Sequence, residues 1–283
     1  MSAVVAPRRI LALLFAANLL IYVARYLLAG VLPQLQQSFP GTSKAELGVL
    51  ASVFVAAYLL MAPVAGALGD RHPRRWLLTL GSGLSALATA AVGLARSLGE
   101  VMATRVALGV GQSAFVTLAP TVVADCYGPQ RRASALGLLT TAQPVGTALS
   151  YLISGLLVGL GFGWRSAFWI VAVPGLLMAL LLLRVPTLPR GGQELGGDAA
   201  APEDDERAPQ RSTLRAYGRL LRTPSYVLDT LAMSANSFAM GGLAFWMPTY
   251  LHKVRGVPMA TAYIAFGLIT AAVGAAGTLG GGY

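Results

Sequence analysis

The chain has 283 residues, 55% of them hydrophobic and only 11% charged, with a mean hydropathy of +0.65. Soluble domains carry about 25% charged residues, so this chain has too few to cover its surface in water, and lipid is the solvent its composition demands. The net charge of +10 does not mark a nucleic-acid binder, because the basic residues fall in short clusters between apolar runs, the pattern that encodes membrane topology.

In chain order, Arg8 and Arg9 precede a first apolar run over 10–32. This run is longer than the about 7–15 residues of a signal-peptide core and has no polar cleavage region after it, so it reads as a retained membrane helix. Seven more runs follow, over 47–68, 76–95, 101–124, 135–160, 168–185, 226–251 and 260–283. Each approaches the about 20 apolar residues that a helix needs to cross a bilayer. Helices satisfy their own backbone in lipid, and the runs are too long for barrel strands. The expected fold class is an all-α membrane bundle.

Fourteen Lys and Arg residues fall on the side that holds Arg8 and Arg9, five on the other, and Arg25 and Arg105 within spans. That asymmetry places the N-terminus in the cytoplasm of a multi-pass protein of the cell (inner or plasma) membrane. The stretch 186–225 breaks the pattern with Pro, Gly and charge, including Glu203, Asp204, Asp205 and Glu206. It reads as a cytoplasmic linker whose end, 211–222, sets Arg211, Arg215, Arg219 and Arg222 on one helical face, as a helix on the inner leaflet would. The expected units are a six-helix part over 1–185, the linker over 186–225 and two helices over 226–283. A weak repeat agrees: Pro33 ends the first span and Pro248 nearly ends the seventh, with Gly66 and Gly281 at equal distances beyond them. Parallel six-helix halves are a transporter plan, and on it the chain is expected to stop inside its second half.

One cysteine, Cys126, excludes an intrachain disulfide framework. His72 and His252 stand at the ends of separate runs, so neither a metal cluster nor a nucleophile–base set is expected. The Gly-rich tail over 274–282 has no lysine and no preceding strand, so it is a close-packing helix end rather than a phosphate loop.

The loop between the second and third runs reads Gly66-Ala-Leu-Gly-Asp70-Arg71-His-Pro-Arg74-Arg75. It resembles the signature loop of the major facilitator superfamily, with Pro73 in place of the usual glycine. The resemblance implies a bundle of about twelve helices, eight of them in this chain, and a conformational latch built from Gly66, Asp70, Arg71, Arg74 and Arg75. It also implies a pair between Arg74 and Asp125. Arg105-Val-Ala-Leu-Gly109-Val-Gly111-Gln112 resembles the second motif of that superfamily. An arginine at mid-bilayer costs about 2.5–3.5 kcal/mol on insertion scales, so Arg105 is expected to face an interior cavity or a polar partner.

The first span carries Arg25 in Tyr22-Val-Ala24-Arg25-Tyr26, and with Ala119-Pro-Thr-Val-Val-Ala-Asp125 and Ala244-Phe-Trp246-Met-Pro248 it resembles the spinster family of carriers. Those carriers have an acid immediately before this arginine and a glutamate in the fourth span, the residues to which proton binding is ascribed. Here the positions hold Ala24 and Gln112, which do not titrate. Asp229, near the start of the seventh span, is expected to be a helix-start acid.

The expected function is a secondary active or facilitative transporter working by alternating access. Its substrate is expected to be an anionic or zwitterionic amphiphile or an organic anion. Arg25, Gln112, Arg105, Tyr22 and Asn18 would bind it, with Gln143, Asn236 and Trp246 as weaker candidates. No cofactor and no enzymatic step are expected, and the partners are membrane lipids and a small molecule, with a monomer at full length. The alternatives are a proton-coupled drug exporter of the same superfamily and a non-transporting receptor or scaffold.

Overall fold

The computed structural model describes residues 7–186 and 222–281, which form eight helices and no strand. In order they are α1 Pro7–Ser38, α2 Lys44–Arg71, α3 Arg74–Leu94, α4 Leu98–Cys126, α5 Pro129–Gly159, α6 Trp164–Leu182, α7 Pro224–Lys253 and α8 Met259–Gly281. The expected inner-leaflet helix over 211–222 and the acidic run fall almost wholly outside the described residues. Helices α1, α2, α3, α4 and α6 are each long and apolar enough to cross a membrane. Helix α5 is more polar because Thr141, Thr147, Ser150 and Ser154 are buried along it. Their hydroxyls bond to carbonyls one turn back, so the polarity is satisfied inside the helix.

Short connections force consecutive helices to run antiparallel. The tightest turns have only two residues, His72 and Pro73 between α2 and α3 and Tyr127 and Gly128 between α4 and α5. At the opposite end of the bundle the turns use Gly41 (φ 89°) and Gly161 (φ 74°), conformations that glycine adopts without a Cβ penalty. That end is capped chemically as well. Ser43 and Glu46 form a reciprocal capping box at the start of α2, and Ser97 caps α4 through the Glu100 amide. Trp164 donates its indole N–H to Ser38, and Arg165 donates to the Ala95 carbonyl, tying α6 to α1 and to the end of α3.

Helix α1 packs on α5 and α6, α2 on α4, α3 on α4 and α6, and α5 on α8. Two apolar clusters result. One holds Val23, Leu27, Leu35, Leu50, Leu108 and Phe168 toward the capped end. The other holds Ile10, Leu14, Leu78, Phe115, Val123 and Leu182 toward the end that bears Arg71 and Arg74. The outer faces stay apolar without being buried: Leu59, Leu60, Leu80, Leu87, Val173 and Leu180 are all exposed. On a water-soluble protein so much exposed apolar surface would drive association; on a membrane bundle it is the lipid face.

Two readings from the sequence need correction. Pro33 does not end its helix but lies inside α1, which runs on to Ser38, whereas Pro248 lies near the end of α7 as expected. A proline interrupts a membrane helix less than a soluble one because neighbouring helices re-satisfy the freed carbonyl. Asp229 is not in a first turn, because α7 begins at Pro224, which stands at a position suited to proline.

The glycines of α3 and α4 set the spacing of the bundle. A Cβ built on Gly81 would lie 2.6 Å from the Gly111 carbonyl oxygen, and one on Gly111 would lie 2.6 Å from that of Gly81. The two backbones therefore touch, as small residues allow in membrane bundles. Substituting Gly81→Val is expected to lower the thermal unfolding midpoint of the full-length protein in detergent, with overpacking worth about 1–3 kcal/mol. Gly137→Ala, where a Cβ meets nothing within 4 Å, should leave the midpoint unchanged.

Candidate functional site

Between the two apolar clusters lies a polar layer made from α1, α2, α3 and α4. Gln112 of α4 is its hub and is fully buried. Its amide nitrogen donates to the Ile21 carbonyl at 3.1 Å and to the Ser85 hydroxyl at 3.4 Å. Its amide oxygen accepts from Arg25 Nε at 2.9 Å. The glutamine thus presents its acceptor to a cation and its donor to neutral oxygens, the orientation that a carboxamide beside a guanidinium requires.

The Arg25 guanidinium stands over three aromatic rings. Its Cζ lies 4.6 Å from the ring centre of Tyr22, 5.1 Å from Phe54 and 5.3 Å from Tyr58. Cation–π contacts contribute about 0.5–2 kcal/mol each, more as water is excluded. Arg25 Nη2 is buried and has no hydrogen-bond partner. Arg105 lies behind it, 2% exposed, with Nη1 reaching the Arg25 carbonyl at a long 3.5 Å and with Nε and Nη2 buried and unpartnered. It stays inside the bundle rather than extending to its end. No hydrogen bond or ion pair joins either guanidinium to a carboxylate among the described residues. Ala24, beside Arg25 in sequence, points elsewhere: it lines a small crevice between α1, α3 and α6 with Ser82, Ser85 and Gly175.

The structure therefore brings together Arg25, Gln112, Arg105 and Tyr22 from two helices. It does not bring Asn18 to them, because the Asn18 amide donates to the Leu139 carbonyl at 3.0 Å and joins α1 to α5. Gln143 and Asn236 are exposed, and Trp246 sits at the other side of α2, 3.8 Å from where a Cβ on Gly48 would be. Phe54, Tyr58 and Ser85 were missed by sequence reasoning. Two aromatics one helical turn apart in α2 were the available signal, but in a continuous apolar run they look like lipid-facing residues.

A second constellation lies at the Arg71 end. Arg74, the first residue of α3, forms a salt bridge with Asp125, near the end of α4, with both side chains largely buried. Arg75 folds over the Trp76 ring at 5.5 Å. A Cβ on Gly66 would lie 3.8 Å from Thr117 Cγ2. Asp70 and Arg71 are exposed at the tip of α2.

With this geometry in place the comparisons are decisive. The family model described as Major Facilitator Superfamily matches residues 14–283. The chain belongs to the Major Facilitator Superfamily. It is 32% identical over 250 residues to Protein spinster homolog 1 of Xenopus laevis, covering 88% of this chain and 46% of that protein. It is 33% identical to the sphingosine-1-phosphate transporter SPNS2 of Mus musculus, covering 87% and 44% respectively. Among solved structures, a bacterial homolog of the human lysosomal transporter spinster, in an inward-facing and unoccupied conformation, superposes with a TM-score of 0.80 at 25% identity. That match covers 98% of this chain and 62% of the other. A D-xylose–proton symporter shares the fold alone, at 18% identity and a TM-score of 0.61. The chain spans about half the length of the curated relatives it matches.

The Arg74–Asp125 pair joins α3 to α4 at a site with little water, where a charged hydrogen bond is worth about 1.5–3 kcal/mol. Asp125→Arg should lower the unfolding midpoint by several degrees, and adding Arg74→Asp should recover part of the loss. A double variant no more stable than the sum of the single ones would show that the pair contributes nothing.

Proposed function

We propose that this chain is the substrate-binding part of a secondary transporter, active or facilitative, that works by alternating access. Its substrate is an anionic or zwitterionic amphiphile or an organic anion that engages Arg25. The observation that carries this reading is the Arg25 guanidinium, which is anchored by Gln112 yet has Nη2 buried and unpartnered. Burying part of a cation without a carboxylate partner has a cost, and an anionic ligand would offset it on binding. A relative named as a sphingosine-1-phosphate transporter supports a charged amphiphile.

Asp70, Arg71 and the Arg74–Asp125 pair act as the latch at the basic end, which faces the cytoplasm of the cell membrane together with the N-terminus. The division into 1–185, 186–225 and 226–283 follows the same plan, with the full-length protein a monomer that needs no cofactor and catalyses no covalent step. The packing of α8 against α5 is the contact that such a plan needs between its two helical groups.

The test is flux in proteoliposomes containing the full-length protein, with an anionic lysophospholipid as probe. Arg25→Ala should reduce transport about 10–100-fold, the value of one charged hydrogen bond, while a cationic amphiphile gains nothing from Arg25. Unchanged flux would overturn the assignment. Because Ala24 and Gln112 do not titrate, transport should also persist when the pH difference across the membrane is collapsed; a strict requirement for that gradient would favour the proton-coupled exporter.

A further inference from the structure

Arg25 faces a physical problem that the transport reading leaves unsolved. A guanidinium inside an apolar bundle needs compensation in every state in which no ligand is present. The usual compensation is a carboxylate, and among the described residues none bonds to it. What surrounds the group is Gln112 at Nε and three rings whose faces lie within 5.3 Å of Cζ, Tyr22 from α1 and Phe54 and Tyr58 from α2.

The two α2 rings are not placed by chance packing. They stand one helical turn apart, 6.2 Å between centres and tilted by 30°. A close backbone approach holds them there: a Cβ on Gly109 of α4 would fall 2.6 Å from the Phe54 carbonyl oxygen and 3.0 Å from the Tyr58 nitrogen. Helix α2 runs along α4 rather than along α1, so Phe54 and Tyr58 reach Arg25 because Gly109 lets α2 come that close. The rings turn their electron-rich faces to the cation, which is the attractive arrangement.

We propose that Phe54 and Tyr58, with Tyr22, are the counter-ion of Arg25 in the empty site, taking the place of a carboxylate. They are positioning residues: they hold the guanidinium by its faces and leave the Nη2 edge for a ligand. The corollary, which rests on the reading under Proposed function, is that an anionic head group meets Arg25 edge-on and that the rings remain in place when it binds.

The experiment needs no substrate, so it stands apart from the transport assay. Thermal unfolding of the full-length protein in detergent is measured for Phe54→Leu/Tyr58→Leu, which keeps the site apolar but removes the ring faces. Gln112→Glu is then added, which puts a carboxylate against Arg25 Nε. The double leucine variant should unfold at least about 5 °C lower, and Gln112→Glu in that background should restore half or more of the loss. In the native background the same change should bring no comparable gain. Equal effects of Gln112→Glu in the two backgrounds, or no recovery, would show that the rings only fill space and would overturn the proposal. Should the double variant fail to fold, a single variant decides: Phe54→Leu should be rescued by Gln112→Glu, and no recovery there would overturn the proposal.

Discussion

A partly buried guanidinium within an apolar helical bundle is the constraint around which the rest of this structure is arranged. Arg25 and Arg105 stand among the residues of one hydrophobic cluster, and Gln112 lies between that cluster and the other. Among the described residues no carboxylate bonds to either of them. The protein answers with neutral groups of the right polarity: a glutamine oxygen, a backbone carbonyl and the faces of three rings. Each is individually weaker than an ion pair, and together they leave one edge of Arg25 without a partner.

That arrangement demands close helices. The acceptor of Gln112 reaches Arg25 only because α4 lies tight against its neighbours. The mutual approach of Gly81 and Gly111 sets the distance between α3 and α4, and Gly109 sets that between α2 and α4. Helix α4 is thus the common rail. It carries Gln112 and Arg105 in the middle and Asp125 at its end, where Arg74 of α3 meets it. Loss of a small residue on α4 would displace the polar layer and the basic end together, which links the packing of the bundle to the geometry of both constellations.

Much of this was legible from residue order. The apolar runs predicted every described helix to within a few residues at most ends, and the fold class with them. The pairing of Arg74 with Asp125 came from the resemblance of the loop after α2, and it is present. Pro33 misled, since it sits inside a helix whose lost hydrogen bond neighbouring segments can absorb. Asn18 was read toward the site, but the amide bonds across to α5 instead. The face a side chain takes on a long apolar helix depends on which neighbour lies there, and hydropathy carries no record of that. Phe54 and Tyr58 were invisible for the same reason: they share a continuous apolar run with Leu59 and Leu60, which are exposed.

The sequence by itself determined the solvent of this protein, its helices and its family, because these follow from apolar run length, from where arginine clusters fall and from one loop motif. It also determined that Arg25 has no acid beside it in the chain, since Ala24 and Gln112 can be read directly. Only the tertiary structure decided what replaces the acid. Gln112 lies 87 residues from Arg25 in the chain, and the rings of Phe54 and Tyr58 belong to another helix. Long-range contacts of that kind arise from how closely the helices pack, and here that closeness is set by glycines whose purpose becomes visible only when the opposing backbone is in place.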